Sequence, residues 1–159
     1  MKPVHVLFLC TGNACRSQMA EAMLRHLDSQ RFAAHSAGAE PAGFVHPLAL
    51  EVLAALEIPE GEPRSKSWDE FADVELDVVI TLCDYAAAQR CPVWRGSPLT
   101  THWSIPDPVM RIGSPEQRSE FAMAVGRDLL DRVSRLAALH FDGPATQDLQ
   151  QQLDLIAQT

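Results

Sequence analysis

The chain has no apolar run long enough to cross a membrane, and Met1-Lys2-Pro3 leads straight into an apolar stretch without a signal-peptide pattern. A cytoplasmic location and no membrane partner are therefore expected. Positive charge is also short: 13 Lys and Arg stand against 21 Asp and Glu, a formal net charge of −8. That balance argues against nucleic acid and against long-range attraction of an anion, so any anion selectivity must be built locally. Cysteine is sparse, with four in 159 residues. In a reducing compartment so few thiols point to catalysis, redox work or metal binding rather than static cross-links. Internal repeats, linkers and low-complexity segments are missing too, which leaves one domain over residues 1–159.

What is present begins with Val4 to Ser17. Val4 to Leu9 is apolar apart from His5, as expected of a strand covered on both faces. Beyond Ser17, Ala20, Met23, Leu24 and Leu27 recur at helical spacing. The chain must turn sharply in between, and Gly12 and Asn13 are residue types that tolerate positive φ. A loop of this kind, Thr11-Gly12-Asn13-Ala14-Cys15-Arg16-Ser17, turns successive N–H groups inward as an anion-binding concavity at the positive end of a helix. Cys10 enters the loop and Arg16 closes it, as C-x5-R. A cysteine facing a helix N-terminus and an arginine sits where the thiolate, the nucleophilic form, is favoured. Arg16 offers a planar fork of donors to a tetrahedral oxyanion, and the Ser17 hydroxyl is placed to bond the thiolate or a leaving oxygen. The plain alternative is a buried cysteine at a strand end. A bare C-x5-R arises often by chance; one set between a buried strand and an amphipathic helix is far rarer.

The rest alternates in kind. Phe32 to Ala37 reads as a strand ending at Gly38, and a helix follows from Pro47 until Pro59 and Gly61 end it. Trp68 to Asp73 suits a short helix, Leu76 to Leu82 a third strand ending at Cys83, and Tyr85 to Gln89 a helix by propensity. Cys91 to Pro98 is loop, Thr100 to Ile105 a weaker strand, and Pro106-Asp107-Pro108 breaks it. Ser114-Pro115-Glu116-Gln117 is a capping box opening a long helix with an apolar stripe through Phe121, Val125, Leu129, Val133 and Leu136, stopped by Asp142-Gly143-Pro144. Thr146 is placed to cap a last helix carrying Leu149, Leu153 and Ile156. This order implies an α/β fold, a parallel sheet with helices on both faces. Ligands then bind beyond the carboxyl ends of the strands, where Cys10, Cys83 and Asp107 converge. Asp107 between two prolines reads equally as a general acid or as a turn-capping aspartate.

Cys10-Thr11-Gly12-Asn13-Ala14-Cys15-Arg16-Ser17-Gln18-Met19-Ala20-Glu21-Ala22 resembles the oxyanion loop of the low-molecular-weight protein tyrosine phosphatase superfamily, and within it the cysteine-dependent arsenate reductases of thioredoxin-coupled type. The likeness runs through Ser36-Ala37-Gly38, Arg64-Ser65-Lys66, Thr81-Leu82-Cys83 and His102-Trp103 to Asp107-Pro108. It implies a three-layer α/β/α fold with a four-stranded parallel sheet, with Cys10 as nucleophile and Asp107 as general acid. The family alternative is a phosphatase that hydrolyses phosphotyrosine through a phosphocysteine.

Cys83 and Cys91 separate the two branches. Reduction of arsenate takes two electrons from thiols, so a second sulfur must attack the first. The resemblance assigns that role to Cys83 and the outward transfer of the disulfide to Cys91; taken singly, each also reads as a core or surface cysteine. Cys15 lies inside the loop and does not discriminate. Aromatic residues that wall the phosphotyrosine site in the phosphatases are missing: Val109-Met110 follow the Asp-Pro pair and Tyr85 is the single tyrosine. Gln18 stands where those phosphatases usually carry proline. The outer cysteines are one residue further apart than in thioredoxin-coupled relatives, and Asp84 replaces a glycine, so glutaredoxin with glutathione is the other expected donor. Some relatives bind potassium beside the loop; Asn13, Glu21 and Ser36 match those ligands, and Lys66 is placed to fill the role of the ion. The cysteine spacings C-x4-C and C-x7-C do not fit a zinc site. His5 is expected to be satisfied locally and His102 to be structural, while His26, His35, His46 and His140 suggest no partner.

Overall fold

The structure is a computed structural model that describes residues 2–89, 91–142 and 147–158. Strands β1 (Val4–Cys10), β2 (Phe32–Gly38), β3 (Val78–Thr81) and β4 (Leu99–His102) alternate with helices α1 (Arg16–Asp28), α2 (Pro47–Ala55), α3 (Asp84–Ala88), α4 (Pro115–Ala137) and α5 (Gln147–Ala157). The four strands form one parallel sheet in the order β2-β1-β3-β4. From β1 the chain crosses to one side of the sheet and from β3 to the other, which opens a crevice beyond their carboxyl ends.

Alternation along β1 divides the core. Val6 and Phe8 face the larger cluster, with Met19, Met23 and Leu24 of α1, Val52 and Leu53 of α2, Leu129 and Val133 of α4 and Leu153 of α5. Leu7 and Leu9 face a smaller one with Ala37, Trp68, Phe71, Leu76 and Val79. A 3-10 turn at Trp68–Phe71, shorter than the helix expected to Asp73, covers this second face. Full burial of such side chains contributes about 1.5–3 kcal/mol each. Where α4 crosses α2, a Cβ at Gly126 would lie 2.4 Å from Val52 Cγ1, so the glycine permits the close approach.

The long helix opens with the expected capping box between Ser114 and Gln117. Other boundaries also differ from the sequence reading, α3 among them, which covers Asp84–Ala88 rather than Tyr85 to Gln89. α2 ends at Ala55, capped by Leu56 with Glu57 at φ 59°, ahead of Pro59 and Gly61. β3 starts at Val78, two residues late, and β4 covers Leu99–His102 rather than running to Ile105. Beyond His102 the backbone still bonds across, Trp103 N to Thr81 O and Ile105 N to Leu82 O, but it leaves the ladder toward Pro106. The expected stop at Gly143-Pro144 and the cap at Thr146 lie outside the described residues. Among the described residues no helix is long and apolar enough to cross a membrane.

Candidate active site

The loop joining β1 to α1 is shaped by what its carbonyls do. Cys10 O accepts from Ala39 N, Thr11 O from Glu40 N, Gly12 O from Ala42 N, Ala14 O from His46 N and Cys15 O from Met19 N. Gly12 O also accepts from the Ser65 hydroxyl, and Asn13 O from Gln18 Nε2. Every carbonyl from Cys10 to Cys15 is thus drawn outward by the scaffold. The N–H groups of residues 11–15 have no acceptor among the described residues, which is the arrangement that serves an anion. Only Asn13 takes positive φ, at 48°; Gly12 does not, contrary to its expected role in the turn. The glycine that matters sterically is Gly38 at the end of β2, where a Cβ would lie 2.6 Å from Thr11 O.

Asn13 orders the interior of the loop. Its Oδ1 accepts from Gln18 Nε2 at 3.0 Å and from Lys66 N at 3.0 Å, which fixes the amide's orientation. Its Nδ2 therefore points to Ser17 Oγ, 2.7 Å away. Having accepted there, the Ser17 hydroxyl turns its proton to Cys10 Sγ at 2.9 Å. Sequence reasoning found Ser17, and singled out Gln18 and Lys66 for other reasons, but missed that both fix Asn13, because a shared hydrogen-bond acceptor leaves no mark in residue order.

Arg16 is buried; its Nη1 donates to Ile105 O at 3.1 Å and its Nη2 lies 3.4 Å from Asp107 Oδ2. Asp107 also accepts from Val109 N, so it caps a 3-10 turn while its other carboxylate oxygen faces Arg16 of the loop. Cys15 is buried and its thiol is pushed up to about 12, by desolvation first, then by Asp107 and Cys10, with Arg16 opposing. A group so protonated is no nucleophile at neutral pH.

Cys83 lies on the same rim. Its Sγ is 3.1 Å from the hydroxyl of Thr11, a loop residue, and caps α3 through Ala86 N at 3.4 Å. Cys91 is exposed, beyond α3, and all four cysteines are free thiols. Lys66 Nζ sits 2.9 Å from Arg64 O, 3.3 Å from Ser36 Oγ and 3.7 Å from Glu21 Oε1. Its ammonium thus sits beside the oxygens of Ser36 and Glu21, two of the residues matched to potassium ligands. Among the described residues there is no cluster of three or more His, Cys, Asp or Glu suited to a metal.

Two histidines without an expected partner have one. His35 stacks on His5, with Nε2 3.0 Å from His5 Nδ1, and His46 Nδ1 caps α2 by accepting from Leu48 N. His102 bridges Thr81 Oγ1 at 2.7 Å and Asp84 Oδ1 at 2.8 Å.

Known proteins resemble this chain in sequence and in fold. An arsenate reductase of Bacillus licheniformis is 34% identical over 132 residues, 83% of this chain and 94% of its own. A solved structure described as an arsenate reductase in the phosphate binding state superposes with a TM-score of 0.67 at 28% identity, over 85% of this chain and 97% of that one. A thioredoxin-dependent arsenate reductase of Corynebacterium glutamicum gives a TM-score of 0.56 at 27% identity, over 84% of this chain and 63% of that one. The profile of the low molecular weight phosphotyrosine protein phosphatases matches residues 5–140. The chain belongs to the low molecular weight phosphotyrosine protein phosphatase family, and its similarity to that family's arsenate reductases extends over most of its length.

Proposed function

We propose that this protein is an enzyme that reduces arsenate to arsenite with electrons from its own thiols, as a step in arsenic detoxification. The observation that carries this reading is the 3.1 Å contact between Thr11 of the anion loop and the sulfur of Cys83. Hydrolysis of a phosphoester needs one sulfur and water; a second thiol at the rim of the loop serves reduction. The arsenate reductases among the relatives support the same choice.

In this mechanism the N–H groups of residues 11–15 and the Arg16 guanidinium hold the oxyanion. The Cys10 thiolate attacks arsenic(V), and the leaving oxygen departs as water with a proton from Asp107. Cys83 then attacks the Cys10 sulfur. The bond between sulfur and arsenic breaks with its electron pair going to arsenic, which leaves as arsenite. Cys10 and Cys83 are left as a disulfide, so two thiols are oxidised as arsenic(V) becomes arsenic(III). Cys91 attacks Cys83 and frees Cys10, and an external dithiol reduces the Cys83–Cys91 bond. Thioredoxin is the proposed donor, supported by the thioredoxin-dependent relative; glutaredoxin with glutathione is the competing one. We also infer that the Lys66 ammonium takes the place of a potassium ion, so turnover should be equal in sodium and potassium salts.

The test is a donor-by-substrate assay on the native protein and on Cys83→Ser. Native protein should form many equivalents of arsenite per chain with thioredoxin, its reductase and NADPH. Cys83→Ser should stop after at most one equivalent yet keep hydrolysing a small aryl phosphate, since that step uses Cys10, Arg16 and Asp107 alone. Aryl phosphate hydrolysis without catalytic arsenite formation under either donor would make the protein a phosphatase.

A further inference from the structure

Helix α3 carries the link between the inner and outer cysteines, yet packing holds it only lightly. Ala86 is its one buried residue and Tyr85 is half exposed. A cavity of about 360 Å³ lies beside it, lined in part by Thr81, Ala86, Ala87, Gln89, Cys91 and His102. What fixes the helix is polar: the Tyr85 hydroxyl donates to Glu40 Oε1 at 2.8 Å, Cys83 Sγ caps Ala86 N, and the densest set of bonds sits at its first residue. Asp84 Oδ1 accepts from His102 Nε2 at 2.8 Å and from the Ser104 hydroxyl at 3.1 Å. The other His102 nitrogen is held by Thr81 at 2.7 Å. With its proton on Nε2, a neutral His102 donates to Asp84 and accepts from the Thr81 hydroxyl, so the chain from β3 through β4 to α3 is complete. The two donors hold the Asp84 carboxyl below the usual carboxylate range, with Arg16 of α1 adding to the effect. Cys83, one residue earlier, is thereby kept against Thr11.

We propose that Asp84, His102 and Ser104 form a latch that holds α3 closed while Cys83 serves the anion loop, and whose release sets the rate at which the disulfide passes from Cys10–Cys83 to Cys83–Cys91. The inference rests on the thiol relay proposed above. Asp84 is a positioning residue in it: it touches neither substrate nor sulfur. The exchange is redox-neutral, since the Cys91 thiolate forms a bond to Cys83 and Cys10 leaves as the thiolate. It requires that α3 yield. Cys83 is buried against Thr11 while Cys91 is exposed beyond α3, and a disulfide needs their Cα atoms within about 7 Å. Five helical residues, Asp84–Ala88, lie between them before the chain extends at Gln89, so α3 and the bonds that hold it are what must open.

His102→Gln and Ser104→Ala discriminate between the latch and a merely local role of Asp84, because both leave the favourable carboxylate in the first turn of α3. If α3 depends on its own sequence, these substitutions leave amide exchange of residues 85–88 unchanged. If the latch holds it, they speed that exchange. The reduced protein is given one equivalent of arsenate without external thiol, quenched by acid at intervals, and its disulfides are mapped by mass spectrometry. Asp84→Ala should bring the Cys83–Cys91 form forward about threefold, the modest size expected of solvent-exposed hydrogen bonds. His102→Gln and Ser104→Ala, which leave the α3 sequence intact, should move it in the same direction, and Asp84→Asn should restore part of the native rate. Unchanged transfer in Asp84→Ala with the outer disulfide still forming overturns the latch and leaves the relay standing. No outer disulfide in any variant, the native protein included, overturns both.

Discussion

At the scale of single residues, the reactivity of Cys10 is set by partners that are themselves fixed. The Ser17 hydroxyl has its direction determined by Asn13, and Asn13 by Gln18 and Lys66. Cys10→Ser is expected to abolish both arsenate reduction and aryl phosphate hydrolysis. Ser17→Ala removes the hydrogen bond between the Ser17 hydroxyl and the Cys10 sulfur, about 0.5–1.5 kcal/mol, and should slow both reactions by about 2–10-fold. Iodoacetamide at neutral pH should label the exposed Cys91 and spare Cys15, whose thiol burial raises to about 12; peptide mapping decides it, and prompt labelling of Cys15 would contradict its buried, protonated state. The gathering of Cys10, Arg16 and Ser17 around one loop was legible in the sequence because the loop's residues are consecutive. Gln18 and Lys66 were not legible as supports, since they act by filling one amide's hydrogen bonds from segments about fifty positions apart.

At the scale of elements, the strands were legible by their apolar runs and α4 by its cap, while boundaries failed where tertiary contacts decide them. β4 shortens as its chain is drawn toward Arg16 through Ile105 O. α2 stops at a positive-φ Glu57, which no turn-forming residue type announces. A pairing between elements also went unseen: His5 on β1 and His35 on β2 stack with 5.2 Å between ring centroids, because strand register brings together residues that the sequence separates by thirty positions. This pair carries a pH prediction. Burial first, then the neighbouring His5, lowers His35 from its ordinary value of 6.5, with Glu21 opposing and Lys66 and Arg25 adding. The unfolded chain therefore binds the proton more readily than the folded one. Stability falls as pH drops through about 6.5 and levels off below the lowered folded value. Urea unfolding of the native protein and of His35→Gln at pH 8 and pH 5.5 should show a smaller loss in the variant; equal losses would remove His35 as a contributor.

At the scale of the whole molecule, the sheet order brings Cys10, Cys83 and the Ile105–Asp107 segment to one edge, and this convergence followed from strand and helix alternation alone. The attachment of α5 did not: Arg132 on α4 is buried and donates to Ile156 O and Ala157 O at the end of that helix, a contact no pattern of residue types marks. The global charge makes the final prediction. A chain of −8 repels arsenate at long range, while Arg16 and the loop amides attract it within a few ångströms. Raising ionic strength from 0.01 M to 0.15 M shortens the screening length from about 30 Å to about 8 Å. That removes most of the distant repulsion and leaves the contact attraction nearly intact. Steady-state kcat/KM for arsenate should therefore rise by up to about twofold over this range of sodium chloride, with the donor held in excess. A steep fall would show that the substrate is steered by a positive field broader than the loop, and would overturn the view that anion selectivity in this fold is wholly local.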